Sequence, residues 1–215
     1  MRCTILYDNV AGKGLKSGWG FSCLVETKER RILFDTGDNG DALLYNMEKL
    51  GIKPKSIDCL FISHGHWDHC GGIQSFLQAR GSLPVFVPRS AMAGLKMFEG
   101  MAEFHTITES KELFPGCYTT GEMNGIEQSL VVEGEKGNVV VCGCSHPGLE
   151  NIIEKAHEFG DIYAVVGGFH GFSRLDALEG IKLVAACHCT VQKNEILERF
   201  PESCADCRTG LVFEV

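Results

Sequence analysis

Long apolar runs are missing from this 215-residue chain. Stretches such as Val139–Val141 and Ala164–Val166 fall far short of the roughly 20 residues needed to span a bilayer, so no membrane partner is expected. An excess of positive charge is missing too. Lys and Arg number 20 against 28 Asp and Glu, a formal net charge of −8. That balance argues against a broad phosphate-binding surface, and so against nucleic acid as a partner. The start, MRCTILYDN, has no apolar stretch of signal-peptide length, which makes a cytoplasmic location the expectation. Internal repeats, low-complexity runs and Pro/Ser-rich linkers are absent, so residues 1–215 read as one domain, long enough to bury an ordinary core. The sequence carries no signal for an oligomeric state.

Cysteine, by contrast, is abundant. There are 11, an odd number, several in pairs: Cys142/Cys144, Cys187/Cys189 and Cys204/Cys207. With no leader and 44% apolar residues available for a core, they read as free cytosolic thiols rather than a disulfide framework. Most suit the interior as small apolar side chains. The pair in CADC, Cys204 and Cys207, can be half a zinc site or a redox couple, with Cys187 and Cys189 able to complete it. Core and loop thiols without metal is the simpler reading.

The chain alternates short β-rich runs, polar or Gly-rich loops and amphipathic helices, which implies an α/β fold. Strands are expected at 32–34, 59–63, 84–88, 138–143, 162–168 and 182–186. Helices are expected over 41–51, where Leu43, Leu44, Met47 and Leu50 share a face and Gly51 supplies a stop, and over 72–81. A further helix should follow Pro147, which suits a first helical turn, and a last one, capped by Thr190, should carry Ile196, Leu197 and Phe200. CTILYD and FSCLVET precede any helix and look like a β-meander. Layers of helices around mixed sheets, rather than one purely parallel sheet, are expected.

The histidines carry the chemistry. Of the eight, His64, His66, His69, His146, His170 and His188 lie at or just past the C-terminal end of an expected strand. His105, in an irregular polar stretch, and His157, on a charged helix, read as ordinary surface residues. One loop histidine means little, but loops at one edge of a sheet converge, and binding groups collect there. Neutral imidazole is a common ligand for zinc and other transition metals. In HGHWDH, His64 and His66 are two apart and point the same way in an extended segment. Asp68 and His69 follow a turn and can face a neighbouring position. One catalytic ion uses three or so protein ligands and keeps a place for water. HGHWDH offers four donors, and His146 and His188 add two, which suits two ions. A bound metal can lower the pKa of water to about 7. Asp68 could ligate, orient the resulting hydroxide or carry its proton.

HGHWDH resembles the His-x-His-x-Asp-His signature of the metallo-β-lactamase superfamily. ILFDTG, with Asp35, GCSHPG, with His146, and CHCT, with His188, resemble three further motifs in the family's order. TGE (120–122), GCSHPGLENI, VVGGFH and HCT are similar to the branch named after a dihydropterin–ribofuranosylaminobenzene-phosphate synthase. The resemblance implies an αββα sandwich with two mixed sheets and the metal site at one edge. It implies His64, His66 and His146 at one metal position, Asp68, His69 and His188 at the other, and Asp35 behind them as a hydrogen-bonding brace. Where many relatives place a bridging Asp, GGFHGF puts the position at His170. Imidazole cannot bridge two ions, so His170 is expected to ligate terminally or, preferably, to act on the substrate. The stretch from Pro84 to Gly116 is short, which implies an open pocket.

The resemblance favours a hydrolase in which metal-bound hydroxide attacks a small ester, amide, thioester or phosphoester, with zinc as the expected ion and Mn2+ or Fe2+ accepted by the same donors. Two alternatives stay open: a synthase that joins a pterin-like partner to a phosphorylated sugar, and a metal-binding redox protein.

Overall fold

The computed structural model describes residues 1–215. The first half of the chain runs β1 (Arg2–Tyr7), β2 (Ser22–Glu26), β3 (Arg31–Phe34), α1 (Gly40–Lys49), β4 (Cys59–Phe61), α2 (Trp67–Cys70), α3 (Ile73–Arg80), β5 (Pro84–Pro88), α4 (Arg89–Leu95) and β6 (Glu103–Ile107). Then come β7 (Lys111–Phe114), β8 (Cys117–Thr119), β9 (Leu130–Val132), β10 (Asn138–Cys142), α5 (Leu149–Ala156), β11 (Ile162–Gly168), β12 (Leu183–Cys187), α6 (Lys193–Arg199) and β13 (Val212–Glu214). The strands form two mixed sheets, ordered β13-β1-β2-β3-β4-β5-β6 and β12-β11-β10-β9-β8-β7.

Central strands are buried on both faces, which is why their sequences are apolar without alternation. In β3, Ile32 and Phe34 enter the core between the sheets, while Leu33 faces the core beneath the helices. In β10, Val139 and Val141 meet that same inter-sheet core, and Val140 and Cys142 face the core under the second set of helices. Three cores separate four layers, helices, sheet, sheet, helices: an αββα sandwich. No helix is long and apolar enough to cross a membrane.

α1 begins where Asn39 caps it, its side chain accepting from the backbone N–H of Ala42 at 3.0 Å. It stops before Gly51, whose φ of 72° a side chain would resist. Three expectations need correction. Pro147 lies two residues ahead of α5, in the turn leading to it. Thr190 does not cap α6; its hydroxyl donates to the Cys187 carbonyl at 2.7 Å and accepts from the Phe169 N–H at 3.0 Å, tying two strand ends together. His105 sits in β6 and stacks on Phe86, with ring centroids 5.2 Å apart. The cysteines depart from expectation as well. Cys187 and Cys207 form a disulfide, and nine cysteines remain free. The CADC pair is thereby split, because the chain after α6 brings Cys207 to the end of β12 and leaves Cys204 apart.

Candidate metal centre

β3, β4 and β5 run parallel in one sheet, and β10, β11 and β12 in the other, so within each sheet these strands deliver their C-terminal ends to one edge. There the backbone turns sharply. Five non-glycine residues have positive φ, and four of them are Asp35 (53°), Ser145 (60°), His170 (44°) and His188 (46°). Each follows a strand by one to three residues, in a conformation that L-residues adopt at a cost of about 1–2 kcal/mol. The loops pack so closely that a Cβ on Gly143 would run into Ser63 and the His64 ring.

His64 Nε2 and His146 Nε2 stand 3.1 and 3.2 Å from His66 Nδ1. Ligand nitrogens bound tetrahedrally at zinc distances are about 3.3 Å apart, so these three fit one ion. Nearby, Asp68 Oδ2 is 3.2 Å from His188 Nε2 and 3.9 Å from His69 Nε2, a second group with suitable donors. His170 is exposed at the rim, its ring centroid 5.1 Å from that of His146.

Three imidazoles are oriented from behind. Asp35 is fully buried; one oxygen accepts from the Ser63 N–H at 2.7 Å, and the other lies 2.6 Å from Ser63 Oγ and 2.7 Å from His69 Nδ1. Ser63 Oγ in turn lies 2.9 Å from His64 Nδ1. His188 Nδ1 is 2.9 Å from Asn9 Oδ1, and its backbone N–H donates to Asp8 at 2.7 Å. With Nδ1–H so engaged, each ring presents the Nε2 lone pair to the centre.

The electrostatics divide the two groups. Burial, then the neighbouring imidazoles, lower His64 far below the usual histidine range and bring His146 to about 4. Burial would also lower His69, but the Asp35 carboxylate outweighs it and leaves His69 raised. Burial pushes Asp68 up, yet its hydrogen bond with His188 and the charge of His69 prevail and hold it down at about 2.

Four residues that hold or adjoin the centre were not singled out from the sequence. Glu127 is fully buried; one oxygen accepts from the backbone N–H groups of Gly143, Cys144 and Ser145, each at 3.0 Å, and the other from that of His146 at 2.9 Å. This carboxylate shapes the loop that carries His146, and burial raises its pKa against the bonds from His146, Ser145 and Cys144 and the charge of His69. Asn9 and Asp8 come from the end of β1, some 180 residues from His188. The fourth is Cys144, one of the cysteines that the sequence leaves undistinguished. Its Sγ lies 3.1 Å from His69 Nε2 and 3.3 Å from Cys189 Sγ. Cys189 Sγ donates to Cys144 Sγ, and the hydrogen bond lets the pair as a whole give up one proton readily.

Residues 20–107 match the family model of the metallo-beta-lactamase superfamily. The synthase of Methanocaldococcus jannaschii named for 7,8-dihydropterin-6-methyl-4-(beta-D-ribofuranosyl)-aminobenzene-5'-phosphate is 28% identical over 91% of this chain and 89% of its own. Tm1679, described as a metal-dependent hydrolase of the beta-lactamase superfamily, is 30% identical, superposes with a TM-score of 0.84 and covers 100% of this chain and 99% of its own. Zn(2+)-bound PqqB from Methylobacterium extorquens, 12% identical over the whole chain with a TM-score of 0.69, shares the fold. The convergence of strand ends on one edge of a double sheet is therefore an inherited arrangement, and this chain belongs to the metallo-beta-lactamase superfamily.

Proposed function

We propose that this protein is a metal-dependent hydrolase of small esters, amides, thioesters or phosphoesters, with His64, His66 and His146 holding one ion and Asp68, His69 and His188 a second. The observation that carries this reading is the pair of imidazole nitrogens, of His64 and His146, 3.1 and 3.2 Å from that of His66, beside a second group of donors around Asp68. Bound there, zinc would activate water and polarise the scissile bond. Asp68, 3.2 Å from His188 Nε2 in the second group, would orient that water or carry its proton. A groove of about 270 Å³ beside the centre, lined in part by His146, Glu150, Phe169, His170 and Ser173, receives a small substrate. His170, at its rim, is placed to hydrogen-bond an anionic group or donate a proton to it.

A synthase is the second reading, favoured by the relative from Methanocaldococcus jannaschii. Metal analysis of the purified protein and a panel of esters, thioesters, lactones and phosphodiesters separate the two. The hydrolase reading expects bound transition metal and turnover of single substrates in water. Metal-loaded protein inert to the whole panel, yet active when a pterin and a phosphorylated sugar are supplied together, would overturn it.

A further inference from the structure

Cys144 occupies the position between the two donor groups. The ligand atoms of His64, Cys144 and His146 all lie within 4.8 Å of one another, and so do those of His69, Cys144 and His188. No other side chain belongs to both sets. His170, which the loop sequence places as the substitute for a bridging carboxylate, belongs to neither.

The surroundings make this a constructed placement. Cys144 is 3% exposed. Its backbone N–H and those of its neighbours are held by Glu127, at 3.0 Å for Gly143, Cys144 and Ser145, which fixes where the side chain starts. Its Sγ is 3.1 Å from the Nε2 of His69, whose Nδ1 is engaged by Asp35. That Nε2 therefore faces the sulfur with a lone pair, an arrangement that a shared cation stabilises. A thiolate has lone pairs for two ions, where a neutral imidazole has one, and thiolate ligands favour zinc over hard cations such as Mn2+.

We infer that Cys144 is a metal ligand shared by the two positions, a thiolate in the place where a bridging carboxylate would stand. The inference rests on the metal-centre reading above. As metal binds, the Cys144 thiol gives its proton to solvent and a metal–sulfur bond forms, with no change of oxidation state. Cys189, 3.3 Å from the sulfur, stays a thiol and donates a hydrogen bond to it.

Cobalt(II) substitution tests this directly, because a cobalt–thiolate bond produces a near-ultraviolet charge-transfer band that His and Asp ligands do not. The wild type and Cys189→Ser should show the band once loaded with cobalt, and Cys144→Ser should lose it while keeping the visible bands of the His-ligated ion. X-ray absorption at the zinc edge of the wild type should show a sulfur neighbour at about 2.3 Å, a measurement that needs no variant to fold. Cobalt-loaded wild type without the band, a band that survives Cys144→Ser, or a Cys144–Cys189 disulfide in the metal-loaded protein would each overturn the inference and leave the hydrolase reading standing. Failure to take up cobalt or zinc at all would overturn both.

Discussion

The two halves of the centre are held in opposite ways. His69 and His188 are gripped from behind, by Asp35 and by Asn9 with Asp8. In the other half only His64 has such a brace, Ser63. His66 is exposed, and His146 is fixed chiefly through its backbone, by Glu127. The half containing a carboxylate is thus built in advance by the protein, whereas the all-histidine half takes its geometry from strand ends and a two-residue spacing.

The largest expected effect erases the contrast. Glu127→Ala removes the acceptor of four N–H groups, three of them buried and costly to leave unpaired. A loss of stability on the order of 4 kcal/mol is expected, with metal lost from both halves; denaturant titration and elemental analysis measure it. Stability within about 1 kcal/mol of wild type would mean that the loop around His146 holds itself.

Asp68→Asn acts on one half only. It keeps the shape and removes the charge and the proton acceptor, so turnover should fall by about 10²-fold or more while metal bound by His64, His66 and His146 remains. Unchanged turnover on any substrate of the wild type would remove Asp68 from the chemistry.

Asn9→Ala frees His188 from its brace. Affinity in the Asp68 half should drop about 10- to 100-fold, with the all-histidine half unaffected, as competition with a chelator would measure. An equal loss in both halves would mean that the two halves are not held differently.

Acid should empty the halves in order. His69 is raised above the usual histidine value, so protons begin to compete with metal there above the pH at which an ordinary histidine is protonated. His64 is lowered and His146 lies at about 4, so these two donors of the other half stay open to metal further into acid. Stepwise acidification with metal analysis should release the Asp68-half ion first; the reverse order would contradict the assignment.

The histidines and Asp68 that gather at this edge were legible in the sequence as residue types at strand ends, and β5 and β11 fall on the residues that their composition marks. What holds the donors was not. Glu127 stands in NGIEQSL, a polar stretch with no motif, and its four partners lie 16–19 residues on, in the turn after β10. Cys144 is indistinguishable in sequence from the core thiol Cys142, two residues earlier. Asn9 meets His188 only because β12 and the end of β1 converge from opposite sheets. The Cys187–Cys207 disulfide likewise depends on the path after α6, which no local pattern encodes.

The left-handed residues at the strand ends leave an imprint on how this chain would evolve. At Asp35, Ser145, His170 and His188 the backbone conformation favours glycine, so selection for thermal stability and selection for activity pull these positions in different directions. His170, exposed and outside both donor sets, is where the first pull meets least resistance. His170→Gly should raise the melting temperature slightly, by up to about 1 kcal/mol of stability, at the expense of turnover; a variant that melts lower would show that the ring, not the backbone, dominates there. A library of this protein screened for heat resistance alone should accumulate glycine at that rim, trading away its catalyst while its fold improves.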